Sequence, residues 1–131
     1  MAVTPTGAER RGTARFILDR QVMVSFKGAG PERWTEADAA IVDVSHGGMA
    51  VRCDRVPDPR QRVMVGFLWR GHGLCAATGR AIHFDGFGGF GVEFGRTNVM
   101  FKDFLKSLEL LTDGDRREHL AQVRDAQIWI E

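Results

Sequence analysis

The sequence predicts an all-β core, a six-stranded antiparallel β-barrel, followed by one or two C-terminal α-helices. Three observations carry this expectation. Short stretches of alternating apolar and polar residues recur through most of the chain. Glycine and proline punctuate them, and glycine is 16 of 131 residues, well above the usual ~7%, as expected of a chain with many turns. After Gly95 the apolar period changes from that of a strand to that of a helix.

Residues 1–9 are small and polar, carry Pro5 and Gly7, and read as a flexible tail. Phe16, Leu18, Val22, Val24 and Phe26 mark a first strand over residues 15–26, broken at Lys27-Gly28-Ala29-Gly30-Pro31. A second strand is expected over residues 37–42. Ser45-His46-Gly47-Gly48 is a turn, and residues 49–53 leave it as a third strand. Pro57-Asp58-Pro59 breaks the chain again before strands near 62–69, 74–84 and 90–94. Phe101, Phe104, Leu105, Leu108 and Leu111 then fall at i, i+3, i+4, i+7 and i+10, one apolar stripe of a helix. Gly114 is expected to stop that helix. Asp115 with Glu118 resembles a capping box opening a second, more polar helix through Ala126. The expected organisation is a tail over 1–9, a barrel domain over 10–96 and a helical extension over 97–131.

Composition narrows the class. Hydrophobic residues at 44% and charged residues at 27% fit a soluble globular domain and exclude disorder over the whole length. No apolar stretch approaches the ~20 residues of a membrane-spanning helix. The N-terminus has neither a basic region nor an apolar run that would direct secretion, so a cytoplasmic protein is expected. Cys53 and Cys75 are too few for a disulfide scaffold and lack zinc-ligand spacing; two buried thiols in a reducing compartment are expected. A net charge of +1 argues against bulk nucleic-acid binding. The 18 cations nevertheless comprise 15 arginines and three lysines, a bias toward the forked group that suits phosphate and guanine.

Several patterns look like chemistry without supplying it. Gly86-Phe87-Gly88-Gly89-Phe90-Gly91 matches G-x-G-x-x-G, but that fingerprint needs a helix directly after the glycines, and Val92-Glu93-Phe94 continues as a strand. Asp43, Ser45 and His46 are the residue types of a hydrolase triad crowded into one turn, where they cannot align as nucleophile, base and orienter. His72, Cys75 and His83 lack a fourth ligand and a zinc-like spacing. Trp34, Trp69 and Trp129 read as core or edge aromatics. No enzyme, no metal and no cofactor are expected.

Two stretches remain. Arg11 and Arg15 form R-x-x-x-R, extended by Arg10, and residues 43–48 form D-x-S-x-x-G. With so many arginines the first is expected by chance, whereas the second arises in roughly one such chain in thirty. The pair, with the arginines before the first strand and the Asp-Ser-Gly turn between the second and third, resembles the PilZ domain, the bacterial receptor module for cyclic di-GMP. The resemblance runs from Glu9 to about Gly95 and includes Gly91-Val92-Glu93-Phe94, similar to the family's closing strand.

The resemblance implies a six-stranded PilZ-like barrel that binds cyclic di-GMP through Arg10, Arg11, Arg15, Asp43, Ser45, Gly47, Gly48 and His83. Chemistry suits these residue types. Arginine binds phosphate bidentately and matches the O6/N7 edge of guanine. The Asp43 carboxylate accepts from guanine N1–H and N2–H, and Ser45 offers a hydroxyl to a phosphate or an arginine. Gly47 and Gly48 are expected to let the turn approach closely and to adopt positive φ. Arg10 implies a self-intercalated ligand dimer, whose four negative charges suit a further cation. His83, expected on strand five, lies near where many family members stack an aromatic on guanine. The receptor would change conformation on binding and signal through a separate partner protein, with no nucleic acid or membrane involved. Two other readings compete: a degenerate PilZ-like adaptor that binds protein only, and a small barrel that binds single-stranded nucleic acid, which would need a basic, aromatic-lined groove.

Overall fold

The computed structural model describes residues 15–27 and 34–131 of the chain. They form β1 (Phe16–Lys27), β2 (Trp34–Val44), β3 (Gly48–Cys53), β4 (Arg62–Trp69), β5 (Gly73–Ile82), β6 (Gly89–Thr97), α1 (Val99–Glu109), α2 (Asp113–Leu120) and β7 (Val123–Ile130). The strands close into a barrel in the order β1-β2-β3-β6-β5-β4-β7. Alternation does the sorting. Val22, Val24 and Phe26 of β1 and Val63, Val65 and Phe67 of β4 are buried, while the residues between them face out.

The barrel has seven strands, not the six expected, and it is not wholly antiparallel. β7 runs antiparallel to β4 and parallel to β1, and so closes a sheet that would otherwise leave two open edges. The expected second helix therefore stops at Leu120 instead of running through Ala126. The sequence hides this strand because Asp125, at φ 53, breaks its alternation. A period of two holds only from Ala126, which packs against the core, to Ile130, with both isoleucines fully buried.

The helices carry the chain from β6 to β7, which lies between β4 and β1. Asn98 caps α1, its side chain accepting from the Phe101 N–H at 2.9 Å, and also donates to the Leu74 carbonyl of β5 at 2.9 Å. The apolar stripe is as expected for Phe101, Phe104, Leu105 and Leu108, all buried, while Leu111 lies beyond the end of the helix. Phe101 and Phe104 meet Phe67 edge-on at 5.4 and 5.1 Å, and Phe104 meets Trp69 at 5.4 Å. The helix thus closes the end of the barrel where β4 finishes. Gly114 does not stop α1; it lies in the first turn of α2. Thr112 caps α2, accepting from the Asp115 N–H at 3.3 Å and donating to its carboxylate at 3.0 Å. Arg116 of α2 sits over the Phe16 ring at 5.0 Å and donates to the Leu108 and Leu111 carbonyls, fastening both helices to the start of β1.

The glycine-rich stretch at 86–91 is a hairpin turn leading into β6, and no helix opens from it. Gly86 and Gly88 take φ values of 82 and 89 there. Asp85 accepts from the Phe87 and Gly89 N–H groups at 2.7 and 2.9 Å, bonds that hold its carboxyl below the usual carboxylate range. Cys53 and Cys75 are buried and unpaired, and burial with the nearby Asp103 charge pushes the Cys75 thiol up to about 12. No helix among the described residues is long and apolar enough to cross a membrane.

Candidate functional site

The site begins with two irregularities in strand pairing. Phe16 pairs with Val44 and Ile17 with Asp43, but the next pair is Arg20 with Ile41, so Leu18 and Asp19 stand against Val42 alone. Asp19 takes φ 46 to make this bulge. The β2–β3 ladder slips at the same place, pairing Ile41 with Val51 and Asp43 with Ala50. Bulges re-aim side chains. Here they leave Val44 facing the core and Asp43 facing out, toward the residue that precedes β1. That residue is Arg15, whose guanidinium donates to the Asp43 carboxylate at 2.8 Å. The two side chains are 45% and 19% exposed. A pair so placed contributes only about 0–1 kcal/mol, so little opposes its redirection toward a ligand.

After Val44 the chain turns. Ser45 is 2% exposed. Its hydroxyl accepts from the Gly47 N–H and donates to the Gly48 carbonyl, each at 3.3 Å, and so holds the turn from beneath. The Ser45 N–H donates to the same carbonyl at 2.8 Å, and the Phe94 N–H of β6 donates to the Gly47 carbonyl at 2.9 Å. Neither Gly47 nor Gly48 has a positive φ, contrary to expectation. Close approach is what requires glycine at 48, because a Cβ there would collide with the Val92 carbonyl of β6.

Arg15, Ser45, Gly47, Gly48 and His83 line one cleft of about 260 Å³. Asp43 is not among the lining residues and is linked to the cleft through its ion pair with Arg15. Arg10 and Arg11 lie outside the described residues. His83 is exposed and sits one residue past the end of β5, at φ 54, rather than on the strand. Clefts of about 420 and 430 Å³ elsewhere on the surface are larger and more open, but neither holds a residue of the two motifs.

Ile82, Gly91 and Glu93 also line the cleft and were not singled out from sequence as binding residues. Their signal was the alternation of β5 and β6, which turns Ile82, Gly91 and Glu93 outward beside buried Ala81, Phe90 and Val92. His46 was set aside with the apparent triad, yet its Nε2 lies 2.8 Å from the Glu109 carboxylate of α1. Asp43, Ser45 and His46 therefore have separate partners, Arg15, the turn backbone and Glu109. No nucleophile–base–orienter chain connects them. Among the described residues no three His, Cys, Asp or Glu side chains gather as metal ligands, His72, Cys75 and His83 included.

The cleft offers the Arg15 fork with its Asp43 partner, the Glu93 carboxylate, a polar turn and the His83 imidazole. That set can both donate hydrogen bonds to a polar ligand and accept them from it. No curated protein and no solved structure matches the chain significantly. A family model, PilZ domain, matches residues 9–108, which take in both arginine and Asp-Ser-Gly motifs, six strands of the barrel and most of α1. By a match that spans most of its length, the chain belongs to the PilZ domain family.

Proposed function

We infer that the protein is a non-enzymatic receptor for cyclic di-GMP, which rearranges on binding and passes the signal to a separate protein. Membership of a family of cyclic di-GMP receptors supports the ligand class. The observation that carries the reading is the ion pair of Arg15, which lines the cleft, with Asp43. It sets a phosphate or O6/N7 reader beside an acceptor for guanine N1–H and N2–H. Ligand oxygens and amides exchange for the weak Arg15–Asp43 pair without stranding a buried charge.

At about 260 Å³ the cleft is smaller than the pockets of roughly 300–1,000 Å³ that enclose drug-sized ligands. It accommodates part of a cyclic dinucleotide. Arg10 and Arg11 would hold the remaining phosphate and base surface, with Arg10 favouring an intercalated ligand dimer, and His83 would face a guanine from the end of β5. Calorimetric titration with cyclic di-GMP, with GTP and a short single-stranded oligonucleotide as controls, tests this reading. Saturable binding of cyclic di-GMP alone is the expected outcome. No heat with any of the three would favour a protein-only adaptor, and oligonucleotide binding would favour a nucleic-acid barrel. An Arg10→Leu variant that shifts the stoichiometry from two ligands to one would identify the dimer.

A further inference from the structure

A third slip in strand pairing shapes the surface beyond Glu93. Glu93 pairs with Arg80 and Phe94 with Gly79, but Thr78 pairs with Arg96, so Gly95 has no partner on β5. Strict alternation from Glu93 would send Arg96 inward. The extra residue turns it out instead, to the face that carries Glu93, Arg80 and Thr78. Gly79 permits the close approach, because a Cβ there would collide with the Glu93 carbonyl. The result is a cleft of about 460 Å³ whose polar lining is Arg62, Thr78, Arg80, Glu93 and Arg96.

This cleft adjoins the motif cleft, and Glu93 lines both. On the ladders Gly48 of the motif turn pairs with Glu93, Glu93 with Arg80, and Arg80 with Arg62, one row across β3, β6, β5 and β4. At about 4.8 Å per strand, the Arg80 backbone stands about 10 Å from that of Gly48. A ligand that overfills the motif cleft along this row meets Arg80 next. Arg62 lies 3.7 Å from Glu131 and is partly answered by it. Arg80 and Arg96 form no ion pair among the described residues, and neither does Glu93, although it stands opposite Arg80. Arg80 also stands directly opposite Arg62, and like charges so placed destabilise a ladder. An anion between the two strands removes that cost. Guanidinium forks suit phosphate oxygens, and Thr78 adds a hydroxyl.

We propose that Arg80 and Arg96 form a second phosphate-binding subsite, contiguous with the motif cleft across Glu93, which holds a phosphodiester of the bound nucleotide. The inference rests on the receptor reading for the identity of that nucleotide. Arg10, Arg11 and Arg15 supply three cations, one fewer than the four negative charges of an intercalated ligand pair. Arg80 and Arg96 make up the difference on the far side of Glu93, whose carboxylate is placed to accept from guanine N1–H and N2–H.

Calorimetry with cyclic di-GMP compares wild type with Arg80→Gln/Arg96→Gln. The double variant should bind at least about tenfold more weakly, and its affinity should fall less steeply with salt. Arg80→Gln alone should leave the urea midpoint unchanged or raise it, because it relieves the repulsion with Arg62. Equal affinity in wild type and double variant would overturn the proposal. So would a lowered midpoint, which would assign Arg80 to a stabilising ladder pair with Glu93. Amide chemical shifts on titration with inorganic pyrophosphate test the anion subsite by itself. Shifts over residues 78–80 and 93–96 that the double variant loses are expected, and their absence from wild type would overturn the proposal. A wild type that shows them yet binds no cyclic di-GMP would uphold the anion subsite and break the receptor reading alone.

Discussion

Two structures share one end of the barrel and are held by opposite means. The helical cap is fixed by rings. Phe67, Phe101 and Phe104 are fully or almost fully buried and pack edge to face. The motif turn beside it holds its own backbone through Ser45 and a bond to β6, but its side-chain links to neighbouring elements are polar and reached by solvent, Arg15 to Asp43 and His46 to Glu109, each 2.8 Å long. Apolar burial of that density is expensive to disturb and has no alternative partner. Exposed ion pairs are weak and readily exchanged. The difference teaches how one small barrel can set an exchangeable surface on a fixed scaffold: the cap is built from buried ring contacts, and the turn beside it carries exposed ion pairs whose partners can be exchanged.

The largest effect should come from breaking the cap. Phe104→Ala removes a ring that touches Phe67 and Trp69, and is expected to destabilise the fold by about 3–5 kcal/mol in urea unfolding. A loss well under that range would mean that α1 is peripheral to the barrel's core.

The mirror-image experiment is Arg15→Ala. Losing one charge-assisted donor should weaken cyclic di-GMP binding by about 1.5–3 kcal/mol, roughly tenfold to a hundredfold, while stability changes by less than about 1 kcal/mol. Calorimetry and urea unfolding on one preparation give both numbers. An Arg15→Ala protein that unfolds early and binds normally would reverse the comparison drawn above.

A third, smaller effect sharpens it through pH. His119 of α2 packs edge-on to Trp69 at 5.1 Å and bonds the Ser107 hydroxyl at 3.0 Å. Burial, and next the charge of His72, lowers its pKa below the ordinary imidazole value. The unfolded chain therefore takes up this proton more readily than the folded one. The contribution of His119 is fully present above about pH 6.5 and is lost as pH falls through the lowered folded value. The urea midpoint of wild type should drop between about pH 7.5 and about pH 5.5, and His119→Gln should reduce that drop. An equal drop in the variant would assign the acid sensitivity to other groups. Asp85 acts in a separate window, below the usual carboxylate pKa, because its own is lowered by the Phe87 and Gly89 amides.

The same division governs what could be read from the chain without coordinates. The alternation of β1 and the stripe of α1 are local patterns, and Val24, Phe26, Phe101 and Phe104 are buried as those patterns require. β7 was hidden because one residue, Asp125, takes a left-handed conformation and splits its alternation, while the Arg-Asp-Ala-Gln run around it suits a helix. At the site, the residue types were legible and the geometry was not. Arg15 reaches Asp43 only because two ladders slip beside Val42, and no spacing in the sequence announces a slip. His83 was placed on a strand that ends one residue earlier. The partnership of His46 and Glu109, 63 residues apart, depends on where α1 docks.

That last partnership yields the smallest expected effect and the closest test of the comparison, since it joins the two regions. Both side chains are 39% exposed, so the pair contributes no more than about 1 kcal/mol. Glu109→Gln should leave the urea midpoint nearly unchanged, because the rings of α1 hold the cap without it. The turn is another matter. Its backbone is fastened to β6 by the Phe94–Gly47 bond and to itself by Ser45, and His46 is its direct side-chain link to the cap among the described residues. Loosening that link should raise amide exchange at residues 46–47 while leaving residues 101–108 protected. It should also alter how far cyclic di-GMP protects α1, since a ligand on the turn then has one fewer direct route to the helix. If Glu109→Gln instead speeds exchange through α1, the pair supports the cap rather than the turn, and the two regions are one cooperative unit.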